Sequence, residues 1–230
     1  MFSNFDFDVI WRSLGYLFLD GMRFTLMLTA LATVGGIVFG TLIALMRLSG
    51  SRLVGTIAGL YVDLIRSLPL VLVIFWFYFL VPYVGQWLSG ASRTIHVGAF
   101  ISSLVTFVMF EAAYFSEIMR AGIQSISKGQ PAAAQALGLT YSQTMRYVVL
   151  PQAFRNMLPV LLTQTIVLFQ DTSLVYVVSI PDFLGAASKV AQRDGRLVEM
   201  YLFAAVVYFA ISCFASVGVR RLQSRIAIVR

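Results

Sequence analysis

Gln164, Gln170, Asp171, Thr172 and Ser173 lie in or at the end of an apolar stretch, where polar side chains ask for an explanation. Amides and hydroxyls at membrane depth are costly and face a cavity or a partner helix. A neutral amide at Gln164 offers N–H groups to a carboxylate without the repulsion an acid would cause. The competing reading is an interhelical hydrogen bond. Gln164 and Gln170 are six residues apart, about 600° of helical rotation, so they do not share one face. Asp171-Thr172-Ser173 is typical of local side-chain to backbone bonding and is expected to cap or gate an outer helix end. A second set is charged. Glu117 precedes Arg120 by three residues, the spacing of a helical ion pair near a membrane surface. Glu111 lies deeper and is expected to be paired or protonated, with Arg66 the candidate partner. His96 is read as an interfacial residue, and the single Cys213 sits in an apolar run, so neither a metal site nor a disulfide framework is expected. No catalytic set is assigned.

These residues need a scaffold, and composition says which kind. Of 230 residues, 59% are hydrophobic and 12% charged, against about 25% charged in an ordinary soluble domain. That much apolar surface calls for lipid as the solvent. The reading is an all-α integral membrane protein with about five transmembrane helices, near residues 24–46, 64–84, 96–119, 150–169 and 200–219. The first and last are free of charge and long enough to cross about 30 Å of hydrocarbon. The second passes through Ser67-Leu68-Pro69 and an aromatic run, and the fourth contains Arg155 and Pro159. Residues 1–8 are polar and acidic, unlike the basic start of a cleavable signal, so the first span is expected to direct insertion.

Five spans put the termini on opposite faces. One face then receives Arg47, Arg52, Arg66, Arg120, Lys128, Arg146, Arg155, Arg220, Arg221, Arg225 and Arg230. The other receives Arg12, Arg23, Arg93, Lys189, Arg193 and Arg196, mixed with Asp6, Asp8, Asp20, Asp182, Asp194 and Glu199. The more basic face is cytoplasmic by the positive-inside rule, which places the N-terminus outside and the C-terminus inside. The net charge of +7 is therefore explained by topology and not by nucleic acid. Residues 1–20 form an outer-face segment whose amphipathic part, 9–19 with Trp11 and Tyr16, lies along the interface. Residues 21–222 are the membrane domain and 223–230 a cytoplasmic tail.

One cytoplasmic loop, residues 121–145, is organised. Pro131 stands where a first-turn proline is tolerated, the run 132–137 favours helix, and Gly138 stands where a C-terminal cap is wanted. A short helix outside the bilayer with a small apolar face is expected to dock a partner.

Gly129-Gln130, Ala133-Ala134, Leu137-Gly138 and then Val148, Leu150 and Pro151 fall at the spacing of the coupling-loop signature of ABC importer permeases, which this segment resembles. Ala132 occupies the place of the signature's acidic residue. The literal Glu111-Ala112-Ala113 is a decoy, since six residues after its Glu comes Glu117 and not glycine. Tyr61 to Pro69, Tyr114 to Ile126 and Phe169 to Leu174 resemble the polar amino-acid uptake branch. Within it, Gln164 to Val177 and Gln192-Arg193-Asp194-Gly195 look most like glutamate/aspartate permeases.

The resemblance implies a type I importer permease in a bacterial inner membrane, carrying polar amino acids such as L-glutamate and L-aspartate. It implies pairing with a second permease subunit, related or identical. It also implies an ABC ATPase dimer on the cytoplasmic loops and a periplasmic or extracellular amino-acid-binding protein. The chain itself would bind no cofactor, with ATP and Mg used by the ATPase. The absence of GxxxxGK[ST] agrees with that division. The rival is an ion-coupled secondary carrier using Glu111 as its ion site. Such carriers show internal repeats, and none is found here. A membrane-embedded assembly subunit is the third reading, and it would not need the coupling-loop spacing.

Overall fold

A computed structural model describes residues 5–90 and 98–226. His96, Arg93, Arg230, the first residues of the 1–20 segment and the end of the 223–230 tail lie outside the described residues. The described residues form eight helices: α1 (Asp8–Leu48), α2 (Arg52–Arg66), α3 (Leu70–Ser89), α4 (Ala99–Gln124), α5 (Gly129–Ala136), α6 (Tyr141–Val178), α7 (Phe183–Asp194) and α8 (Leu197–Ile226). Five of these, α1, α3, α4, α6 and α8, are long and apolar enough to cross a membrane.

Several boundaries differ from the sequence reading. The amphipathic 9–19 segment is continuous with the first span in one helix of 41 residues, about 60 Å long. No Pro or cap interrupts it. The second span does not begin near residue 64. Leu64 and Arg66 belong to α2, whose 15 residues reach only about 22 Å, too short to cross the hydrocarbon. Pro69, extended at φ −61° and ψ 129°, supplies no N–H, and α3 starts after it. The fourth span extends well before residue 150. Thr140 and Gln143 form a capping box that starts α6 at Tyr141, so the helix runs through Pro151 as well as Pro159. The backbone widens to π geometry at Tyr16–Met22 in α1, Trp76–Leu80 in α3 and Met145–Val149 in α6. The last two widened turns end two residues before a proline, Pro82 or Pro151. Loosening the turn there accommodates a ring that clashes with the preceding carbonyls.

Contacts divide the chain into two compact units. The first comprises Met1–Val34, Leu68–Val108 and Ile166–Ala215. Its core gathers Phe183, Ala186, Ala187, Val190 and Ala191 of α7 with Val9 and Leu17 of α1, Phe169 of α6, and Met200 and Ala204 of α8. Asp182 caps α7, accepting from Leu184 N at 3.0 Å and Gly185 N at 2.9 Å. Gly21 is needed where α1 meets α7, because a Cβ there would lie 2.9 Å from the Ala186 Cβ. Around this core Arg12 pairs with Asp194 at 3.2 Å, and Arg196 with Glu199 at 3.3 Å. The Arg193 guanidinium beside Asp194 holds that carboxyl below its usual range.

The second unit comprises Gly35–Ser67, Met109–Thr165 and Ser216–Arg230. Its core is Ala44, Phe115, Met119 and Leu161, with Ile37, Ile118 and Met157 packed against them. Gly36 and Gly40, one helical turn apart, let α1 approach α4. A Cβ on Gly36 would stand 2.9 Å from the Glu111 Cβ, and one on Gly40 2.9 Å from the Phe115 Cβ. Between helices in lipid, such close packing supplies attraction that burial from water cannot.

Candidate functional site

The short helix α5 starts at Gly129, contains Pro131 in its first turn and stops where Gly138 takes φ +86°. Ala134 faces inward at 6% exposure, and α5 seats on the Met145–Val149 turn of α6. Ala134, one of the two alanines of the coupling-loop spacing, is thus turned inward and is a seating residue. Gln130, Ala133 and Leu137 are exposed, Leu137 at 82%, and Tyr141 and Tyr147 extend the exposed surface along the start of α6. Leu150 is half-exposed and Pro151 exposed on the same helix. The loop is therefore a rigid helical knob joined at one end to α4 and at the other to α6.

Behind the knob, α4 and α6 are pinned together. Gly122 lets them approach, since a Cβ there would lie 2.9 Å from the Met157 Cβ, and Asn156 donates to Ser125 Oγ at 2.8 Å. A cleft of about 310 Å³ opens beside this contact, lined by Ile118, Ala121, Met157 and Val160 and bordered by Glu117. Glu117 accepts from Arg120 of its own helix and also from Arg47 of α1. The sequence spacing contains only the first of these pairs. Arg47 is 70 residues away, and nothing local announces it.

Deeper in the same unit Glu111 is 1% exposed. The Gln164 amide nitrogen donates to both its oxygens, at 3.3 and 3.2 Å. Arg66, the expected partner, instead lies over the Tyr114 ring, 5.3 Å from its centroid. The reason is the Pro69 break: it leaves Arg66 as the last residue of α2, where the guanidinium finds an aromatic face. The same geometry revises Gln164, because the N–H groups expected to serve a carboxylate ligand are turned onto Glu111.

The remaining polar residues belong to the first unit. Gln170 donates to Ser212 Oγ of α8 at 3.0 Å, an interhelical bond. Thr172 is fully buried and bonds back to the Phe169 carbonyl at 2.7 Å. Asp171 ends the α-helical part of α6, and Thr172 and Ser173 begin a 3₁₀ stretch to Val178. These residues mark a tightening inside α6, and the helix does not end at Phe169. Among the described residues no cluster of His, Cys, Asp and Glu is arranged to hold a metal.

The five spans and the α4–α5–α6 knob fit a membrane transport subunit. Residues 36–228 match the family described as "Binding-protein-dependent transport system inner membrane component". The chain is 55% identical over 224 residues to the glutamate/aspartate import permease protein GltK of Escherichia coli O157:H7, covering 97% of this chain and 99% of that protein. It is 32% identical to the glutamine transport system permease protein GlnP of Escherichia coli strain K12, covering 98% of this chain and all of that one. A crystal structure of an amino acid ABC transporter with histidines superposes at TM-score 0.86 and 32% identity, over 96% of this chain and 98% of the other. The inward-facing MetNI methionine ABC transporter, at TM-score 0.74 and 17% identity over 93% of this chain and 97% of that one, shares the fold. The chain belongs to this family of binding-protein-dependent inner-membrane transport components, and it is a multi-pass inner-membrane protein of permease and not catalytic type.

Proposed function

We propose that this chain is the permease subunit of an ATP-driven importer of L-glutamate and L-aspartate. The observation that carries the reading is the 55% identity, over nearly the full length of both chains, to proteins named as glutamate/aspartate import permeases. The knob supports the ABC mechanism. An ATPase dimer grips the exposed Gln130, Ala133 and Leu137, and its closure moves α5. The packing of α5 on the Met145–Val149 turn passes the movement to α6, and the Gly122–Met157 contact passes it to α4. This chain binds no cofactor, and ATP and Mg act in the ATPase.

A second permease subunit, related or identical, completes the path, and a periplasmic or extracellular binding protein delivers the amino acid. The N-terminus is outside and the C-terminus cytoplasmic. Charge supports that orientation. The second unit holds Arg47, Arg52, Arg66, Arg120, Lys128, Arg146, Arg155, Arg220, Arg221 and Arg225 against Asp63, Glu111 and Glu117 only. In the first unit, acids and bases are mixed. Labelled L-glutamate, L-aspartate and L-glutamine, each offered with a binding protein to the ATPase-containing complex in proteoliposomes, test the substrate. The acidic pair should accumulate and glutamine should not. Equal accumulation of glutamine would contradict the assignment.

A further inference from the structure

The 15 residues of α2 present three faces to their surroundings. Ala58, Val62 and Ile65 are buried. Leu53, Ile57, Leu60 and Leu64 form an exposed apolar stripe, the face that lipid calls for. A further edge carries Arg52, Thr56, Gly59, Asp63 and Arg66, and all but the half-exposed Gly59 are exposed. Steps of four and three residues hold this edge within about 80° of arc, roughly a third of a turn from each of the other faces. Its two ends lie at different depths. A Cβ on Gly55 would stand 3.8 Å from the Arg47 carbonyl oxygen, so α2 starts beside the last turn of α1. Farther along, Tyr61 donates to the Met109 carbonyl at 2.6 Å, and the Arg66 guanidinium lies over the Tyr114 ring, 5.3 Å from its centroid. Tyr114 precedes Gln124, the last residue of α4, by about 15 Å of helix. The 26 residues of α4 exceed the hydrocarbon thickness by only about 9 Å. Arg66 therefore reaches into the membrane wherever that excess falls.

A guanidinium keeps its charge, and lipid at that depth does not solvate it. The edge therefore faces water or another protein chain. A close contact with the α2 of an identical permease subunit fails on charge. Both subunits must present α5 to the same side of the membrane, so the axis relating them runs along the membrane normal and puts equal residues at equal depth. Arginine would then face arginine at both ends of the edge. A water-filled gap removes that conflict. We propose that this edge of α2 lines an aqueous exit through the cytoplasmic half of the membrane, in which Arg66 and Arg52 draw the released anionic amino acid toward the cytoplasm. Asp63, one turn before Arg66, keeps the attraction weak enough for the anion to leave. The inference rests on the orientation and the acidic amino-acid import proposed above and specifies a route within them.

The test uses the complete complex with its ATPase and second permease subunit, in inside-out vesicles and in a Cys213→Ser background. Single cysteines replace Thr56 and Gly59 on the polar edge, and Ile57 and Leu60 on the apolar stripe. A Cβ on Gly59 meets nothing within 4 Å, so that substitution leaves the helix in place. The probes are two membrane-impermeant methanethiosulfonates of similar size, one anionic and one cationic, added from the cytoplasmic side without ATP. Thr56→Cys and Gly59→Cys should react at least about tenfold faster than Ile57→Cys and Leu60→Cys, because a charged reagent enters water and not lipid. Adding Arg66→Gln to Gly59→Cys should lower the anionic-to-cationic rate ratio about threefold or more, the effect of one unit charge close by in a partly solvated path. If Arg66→Gln does not assemble, Arg52→Gln supplies the ratio. Equal reactivity on both faces, or reaction on neither, would overturn the inference, as would an unchanged rate ratio. ATP-driven glutamate uptake by the Cys213→Ser parent is read in parallel. Uptake without the accessibility pattern sinks the exit alone, whereas no uptake sinks the import reading itself.

Discussion

Glu117, Gln164 and Asp182 show how single side chains set the behaviour of this protein. Glu117 joins α1 to α4 by accepting from Arg47 and Arg120. Glu117→Gln leaves two guanidiniums sharing one neutral amide, which should cost about 1–3 kcal/mol. Thermal unfolding of the purified complex should show a lower Tm, and an unchanged Tm would make the bridge ornamental. Gln164→Ala should lower uptake by about tenfold, the loss of one transition-state hydrogen bond, with complex assembly intact. Normal uptake and normal transport-coupled ATP hydrolysis would make Gln164 purely structural. Burial pushes the Asp182 carboxyl from 3.8 up to about 7, against the opposing pull of the Leu184 and Gly185 amides and the Tyr208 hydroxyl. Between those values the folded state holds a proton that the unfolded chain has released. Stability is therefore greatest below about pH 4 as far as this group is concerned and falls as pH rises toward about 7. Asp182→Asn keeps a capping oxygen and should flatten that slope in Tm-against-pH measurements.

At the scale of elements, α5 is the part whose form and whose seat have different origins. Its form was legible: Pro131 and Gly138 bracket it by local backbone rules, and Gly138 takes the left-handed conformation that a capping glycine allows. The seat was not legible, because Ala134 is buried where the helix packs on the start of α6 and nothing in its own neighbourhood says which alanine faces inward. Leu137→Ala should weaken ATPase coupling about fivefold while leaving the fold intact, since the side chain is 82% exposed. Ala134→Gln should unseat the helix and reduce both coupling and assembly. Binding-protein-stimulated ATP hydrolysis, measured beside complex yield, distinguishes the two patterns. Equal loss of yield in both variants would contradict the division into grip and seat. The break before α3 had a plain local signal in Pro69, yet hydropathy ran across it and drew Leu64 and Arg66 into the wrong helix.

Over the whole molecule, the span count and the charge bias were readable because lipid imposes length and because loops carry their charge in sequence. The pairings were not readable. Glu111 with Gln164 and Gln170 with Ser212 join helices 53 and 42 residues apart, and the choice among polar partners is made by packing. Glycines were a partial signal: Gly36 and Gly40 have the small-xxx-small spacing of close helix contacts, although the spacing does not name α4 as the partner. The orientation has its own test. In a Cys213→Ser background, a cysteine at Lys128 should react with a membrane-impermeant maleimide only when the cytoplasmic face is open, and one at Lys189 only from outside; the reverse pattern would invert the topology. The central claim, that this chain is the pore half of an ATP-driven importer, is tested most directly by energy source. Proteoliposomes holding the complete complex should accumulate labelled L-glutamate when ATP and loaded binding protein are supplied, and should continue when an uncoupler removes the proton gradient. Accumulation that persists without ATP and collapses with the uncoupler would contradict the account.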